Sequence, residues 1–137
     1  MTDTHSAVID AVMDLAQDAL TEAGYNLPLF RGPCGTGDCI ACEPSYGNAD
    51  ARFYDKNATF RVTLVFNSKN ANMKTALNML EQILLKLTRM TGGYPSAESW
   101  QITGIWTASL PMLLSREEDN TWLYAASLYI DYFLRGD

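Results

Sequence analysis

A chain of 137 residues in which 47% of the side chains are hydrophobic, among them three Trp, seven Tyr and five Phe, is the size of one hydrophobic core and too rich in large apolar groups for a disordered polar tract. Ten Lys and Arg stand against sixteen Asp and Glu, a formal charge of −6, so the surface repels phosphate and sequence-specific nucleic-acid binding is excluded as an expectation. No apolar run approaches the roughly 20 residues of a membrane-spanning helix, and Met1-Thr2-Asp3-Thr4-His5 lacks the basic-then-apolar order of a signal peptide. The expectation is therefore one domain over residues 1–137, made in cytoplasm, with no membrane partner.

From Ser6 to Ala23, Val8, Ile9, Val12, Met13, Leu15, Ala16, Ala19 and Leu20 recur at helical spacing, with Asp10, Asp14, Gln17 and Asp18 on the remaining arc. Thr4 or Ser6 can cap the start of this amphipathic helix, and Gly24 can take the left-handed conformation that ends it. A short strand, Leu27 to Arg31, precedes a loop, Gly32 to Asp38, whose three glycines and one proline exclude regular structure. A second short strand is expected over Cys39 to Glu43. The stretch Pro44 to Asn57 mixes turn-forming residues with Tyr46, Phe53 and Tyr54 and reads as a surface loop carrying aromatic side chains.

Ala58 to Phe66 alternates, with Phe60, Val62, Leu64 and Phe66 on one face, as a half-buried strand does. Ser68 to Asn72 reads as a polar turn. A second helix follows, with a stripe of Met73, Ala76, Leu77, Leu80, Ile83, Leu84, Leu87 and Met90 closed by Gly92-Gly93. Trp100 to Thr107 and Thr121 to Leu134 alternate as strands, and they are expected to pair as a hairpin-like unit around Leu110-Pro111, with a polar turn at Arg116 to Asn120. The order predicts an α+β fold: a mainly antiparallel sheet with two amphipathic helices packed on one face. The last strand is apolar on both faces, and the face with Leu123, Ala125, Tyr129 and Phe133 is a candidate subunit contact, unless a two-layered core covers both faces.

Catalytic and metal chemistry find little purchase. Cys34, Cys39 and Cys42 have the spacing of the first three ligands of a plant-type iron-sulfur loop, but no later Cys supplies a fourth thiolate, and His5 is the sole histidine, near a terminus expected to be mobile. A metal or redox module would need another subunit to complete its ligands, so the chain itself is expected to bind no cofactor. The simpler expectation has Cys39 and Cys42 as small apolar strand residues and Cys34 as an ordinary loop thiol, a disulfide being disfavoured in a reducing cytosol. The glycines of residues 32–37 lack the Lys-Ser/Thr and the following helix of a phosphate-binding loop. With one His no ordinary nucleophile triad can be assembled. Glu117-Glu118-Asp119 reads as a solvated acidic turn. The chain is expected not to be an enzyme.

The order of these features, an amphipathic helix, Leu29-Phe30-Arg31-Gly32, Cys39-Ile40-Ala41-Cys42-Glu43, Thr59-Phe60-Arg61-Val62-Thr63-Leu64 leading into a helix, and a closing aromatic strand, resembles the minor capsid and tail terminator (tail-completion) proteins of long-tailed phages. The resemblance covers nearly the whole chain. It implies a virion assembly protein of a phage or prophage: a homo-oligomeric ring, hexameric in the family, that caps the tail tube and docks onto head-connector proteins at the head-tail junction. It brings no catalytic residues. Closed rings use heterologous interfaces, in which one patch meets a different patch on the neighbour. The expected patches are Arg52, Phe53, Tyr54 and Lys56 on one side and the acids Glu117, Glu118 and Asp119 on the other. Exchanging Arg52 and Lys56 for Glu is expected to lower the assembled mass measured by light scattering; an unchanged mass would remove this patch from the interface.

Overall fold

The computed structural model describes residues 4–45, 52–54, 57–90 and 93–134, with residues 4, 45, 52–54, 57 and 58 described through their backbone. Two helices, α1 (Thr4–Glu22) and α2 (Met73–Thr88), and six strands, β1 (Leu29–Arg31), β2 (Cys39–Ser45), β3 (Arg52–Tyr54), β4 (Asn57–Asn70), β5 (Trp100–Arg116) and β6 (Trp122–Leu134), make up the described chain. The strands form one sheet in the order β1-β2-β4-β6-β5, and β3 pairs with the beginning of β4. Only the β1–β2 pair is parallel. This is the α+β architecture the sequence predicts, with both helices on one face of a mainly antiparallel sheet.

The core follows from strand alternation. Val62, Leu64, Phe66 and Ser68 of β4 lie directly opposite Ile130, Leu128, Ala126 and Tyr124 of β6, and all eight are buried. They meet Val8, Ile9, Val12, Ala16 and Leu20 of α1 and Ala76, Met79, Leu80, Ile83 and Leu87 of α2. The helix stripes are thus the complement of the strand stripe. At the end of α1, Gly24 takes a φ of 92° and the Tyr25 N–H reaches back to the Leu20 carbonyl at 2.9 Å. That left-handed closure is the one expected at this glycine. Asn72 caps α2, its Oδ1 accepting from the N–H groups of Lys74 and Thr75 at 3.0 and 3.2 Å.

Several elements depart from expectation for identifiable reasons. β4 runs on through Ser68, Lys69 and Asn70, because their ladder to β6 outweighs their turn preference. The region expected as one loop from Pro44 to Asn57 contains the end of β2, the short β3 and the start of β4; Tyr46 and Lys56 lie outside the described residues. α2 ends at Thr88, and Gly92 also lies outside the described residues. Ser6 is inside α1 rather than its cap, and its hydroxyl accepts from Arg31 at 2.8 Å. His5 is held rather than mobile: it hydrogen-bonds the Tyr132 hydroxyl at 2.5 Å and packs edge-on against Phe60 and Tyr132. The hairpin between β5 and β6 turns at residues 117–121, closed by Glu117 N–H to the Thr121 carbonyl at 2.8 Å, and Asn120 takes a φ of 63°. Leu110-Pro111 lies within β5 instead, because an edge strand can leave the prolyl nitrogen without a ladder partner.

Two neighbouring inward positions of β4 give opposite expectations. Phe66 is 1% exposed in the centre of the core, so Phe66→Ala should cost about 3–5 kcal/mol in urea unfolding. The buried Ser68 hydroxyl meets no hydrogen-bond partner among the described residues, so Ser68→Ala should leave stability unchanged or raise it. A loss at Ser68 as large as that at Phe66 would refute this packing.

Candidate subunit interface

β5 is the edge of the sheet and the longest strand, at 17 residues. Its first half is anchored by the buried Trp100, Ile102 and Ile105. Beyond them Trp106, Leu110, Met112, Leu113 and Leu114 are all exposed, with Leu110 at 71%. No charged residue occurs between Trp100 and Ser115. A long, uncharged, apolar edge strand presents both sticky side chains and unpaired backbone groups, the combination that soluble monomers avoid. Register shifts against β6 between Ile102 and Ser115 bend the strand along this length.

The sequence places excess apolar surface on β6, and the structure adds a larger, exposed stretch on β5. β6 lies inside the sheet between β4 and β5, and Leu123, Ala125, Tyr129 and Phe133, on its face away from the helices, are half-buried. The uncharged run of residues 100–115 marks this β5 stretch in the sequence, but a turn at Pro111 would cut it in two.

At the start of the exposed segment Trp106 is held in place. Its indole N–H donates to Asp131 Oδ2 at 3.0 Å, and Arg61 donates to both oxygens of the same carboxylate at 2.6 and 3.1 Å. The Arg61 guanidinium lies 4.8 Å from the centre of the Tyr129 ring. The Trp106 ring rests against Gly104, where an added Cβ would come within 2.9 Å of the indole nitrogen. The Arg61 guanidinium, with help from the Trp106 N–H, keeps the Asp131 carboxyl below the usual carboxylate range despite its partial burial. An aromatic fixed in one orientation loses little further freedom on being covered.

The two predicted patches fall on different parts of the sheet. Arg52, Phe53 and Tyr54 form β3, which pairs with Asn57–Thr59 on the side of β4 away from β5. Their side chains, like Lys56, lie outside the described residues. Glu117, Glu118 and Asp119 sit together in the β5–β6 turn, beside the other end of β4 and roughly 40 Å along it at 3.3 Å per residue. The acids are not equivalent. Glu118 is exposed, whereas Glu117 accepts a hydrogen bond from the Ser115 hydroxyl.

Asp119 is committed within the chain. It accepts from Gly37 N–H at 2.7 Å and from the Thr121 hydroxyl, and it pairs with Lys69 at 3.2 Å. Lys69, 6% exposed, also donates to the Gly35 carbonyl at 2.7 Å. The turn is therefore tied to the glycine loop and to β4 rather than simply solvated. Sequence gave no sign of this pair, since a lysine in a Ser-Lys-Asn run reads as surface.

The three cysteines do not converge. Cys34 and Cys39 form a disulfide, which overturns the expectation of an ordinary loop thiol. Cys42 lies across β2 in the main core, where burial pushes its thiol up to about 12. Strand alternation puts Cys39 and Cys42 on opposite faces, so the spacing that suggests a cluster loop is incompatible with one shared metal. Among the described residues no group of three His, Cys, Asp or Glu side chains could hold a metal ion, and no helix is long and apolar enough to cross a membrane.

The chain thus belongs to the class of single-sheet α+β domains with a two-helix layer and an exposed apolar edge. No protein-family model matches its sequence, and no curated protein matches it. Among solved structures, it is similar to a chain of "Virion of native gene transfer agent (GTA) particle", with a TM-score of 0.63 and 12% identity over 93% of this chain and 98% of that one. The likeness extends over nearly all of both chains and shows a shared fold.

The Thr121 hydroxyl, the Gly37 N–H and Lys69 together hold the Asp119 carboxyl well below the usual carboxylate range. A depressed folded-state value makes the stabilisation fully present above the unfolded value of about 3.9 and lost as pH falls through the folded one. Asp119→Asn should therefore lower Tm by a constant amount between about pH 7 and 5, with the gap to wild type closing below about pH 4. Thermal unfolding across that range checks it, and a gap of equal size down to pH 2 would show that the charge is not the stabilising element.

Proposed function

We propose that this chain is a virion structural protein of a phage-like particle, and within that class a tail terminator or head-tail joining subunit working as a closed homo-oligomeric ring. The observation that carries the reading is the exposed apolar half of β5. A chain of charge −6 repels its own copies, and this neutral strand is where two of them can approach without opposing charge. The fold shared with a chain of a virion particle supports the class. The strand lies at one edge of the sheet, with β3 on the other side of β4. Ring closure needs two unlike patches related by rotation, and distant patches on opposite sides of one sheet meet that requirement. The basic and aromatic residues Arg52, Phe53, Tyr54 and Lys56 then supply one side of the contact, and β5 with Glu117 and Glu118 the other. Tail-tube and head-connector proteins would meet the two ends of such a ring.

Leu110→Lys with Leu114→Lys places charge on the exposed strand without touching the core. Light scattering should find wild type as a multiple of the 15.2 kDa chain and the variant shifted to the monomer, with Tm unchanged within a few degrees. A wild-type chain that stays monomeric at hundreds of micromolar, alone and with isolated tail tubes, would overturn the ring.

A further inference from the structure

The loop of residues 32–38 holds a second device, independent of the β5 edge. It is short, contains Gly32, Gly35 and Gly37, and has positive φ at Gly32 and Gly37 (128° and 83°). A glycine-rich segment loses more backbone freedom on ordering than any other. It is nevertheless bound on several sides. Gly32 N–H donates to the Cys42 carbonyl at 3.0 Å, Lys69 donates to the Gly35 carbonyl, Gly37 N–H donates to Asp119, and the Asp38 carboxylate accepts from Ala71 N–H at 3.0 Å. The one covalent restraint on this set is the bond from Cys34 to Cys39 at the start of β2.

We propose that the Cys34–Cys39 disulfide is a redox latch that holds the 32–38 loop docked and, through Lys69 and Asp119, holds the β5–β6 turn. Cys39 is 5% exposed while Cys34 is half-buried, so Cys34 is the sulfur a small thiol reaches. A dithiol attacks Cys34 Sγ, and Cys39 leaves as a thiolate and takes up a proton. The second thiol of the reductant then displaces Cys34, leaving two protein thiols and an oxidised, cyclised reductant. The core face of the sheet does not involve this bond, so reduction spares it. What reduction removes is the restraint on a glycine loop whose remaining ties are single hydrogen bonds near the surface. Once the loop leaves, Asp119 loses the Gly37 N–H and Lys69 loses the Gly35 carbonyl. Reducing cytoplasm favours the open state and an oxidising exterior the closed one. Resting on the ring reading above, in which the turn is a contact patch, the latch would stiffen that patch after a particle leaves the cell.

The test uses the full chain, oxidised and then treated with dithiothreitol. Iodoacetamide followed by intact mass should add no label before reduction and two after it, Cys42 remaining unlabelled in its buried, high-pKa position. Hydrogen exchange should become at least tenfold faster in peptides covering residues 32–38 and 117–121 after reduction, return on reoxidation, and stay unchanged in residues 62–66 and 126–132. Cys34→Ser with Cys39→Ser should reproduce the reduced pattern. Labelling before reduction, or equal exchange in both states, would overturn the latch. Acceleration throughout the core on reduction would overturn it too, by making the bond a staple of the whole fold. Light scattering on the same samples reads the ring separately: a monomer whose loop and turn still respond to reduction keeps the latch and removes the ring.

Discussion

The antiparallel ladder between β4 and β6 is the constraint on which the rest of the structure depends. It is continuous from Ala58 opposite Leu134 to Asn70 opposite Trp122, with no register shift. Because side chains alternate along a strand, this one register decides which residues of both strands face the helices. A slip of one residue would turn Val62, Leu64 and Phe66 to the outside and bring Arg61, Thr63 and Val65 into the core. The other strands build outward from this pair, β2 and β3 along one side of β4 with β1 beyond β2, and β5 along the far side of β6, while α2 follows directly after the last residues of β4.

Element lengths then explain the exposed edge. Helices of 19 and 16 residues measure about 28 and 24 Å at 1.5 Å per residue. A strand of 17 residues whose register shifts fit it against the 13 residues of β6 spans about 43 Å at 3.3 Å per residue. The strand outruns either helix that covers the sheet, and at the edge it has a neighbour on one side alone. Trp100, Ile102 and Ile105 use the available cover, whereas Leu110, Met112, Leu113 and Leu114 remain exposed among the described residues. Retaining four apolar residues where a monomer would place charge is costly for solubility, and the association proposed above would offset that cost.

Much of this was legible in the sequence, and the failures share a cause. Both helices, the glycine that ends α1 and the inward stripe of β4 follow from local periodicity. What could not be read locally was the identity of neighbours. Pro111 looks like a turn unless β5 is known to be an edge strand, and Ser68-Lys69-Asn70 looks like a loop unless β6 is known to continue beside it. For the candidate interface, the acidic turn was found as a segment. That Asp119 pairs with Lys69 and Gly37 depends on a loop 82 residues earlier in the chain, whose docking no spacing rule describes.

The glycine loop and the apolar strand divide the labour of the surface. The strand supplies area without direction, because leucine and methionine side chains accept many partners. The clamp of Lys69, Asp119, Gly35 and Gly37 supplies direction without area, fixing the turn at the end of that strand relative to β4. At the other end of the exposed segment, Arg61 and Asp131 fix Trp106 in the same way. The apolar segment is thus held at both ends by charged pairs and left uncovered between them. Rigidity at the ends lowers the entropy lost when a partner covers the middle, and this makes the β5 edge better suited to specific assembly than to indiscriminate adhesion.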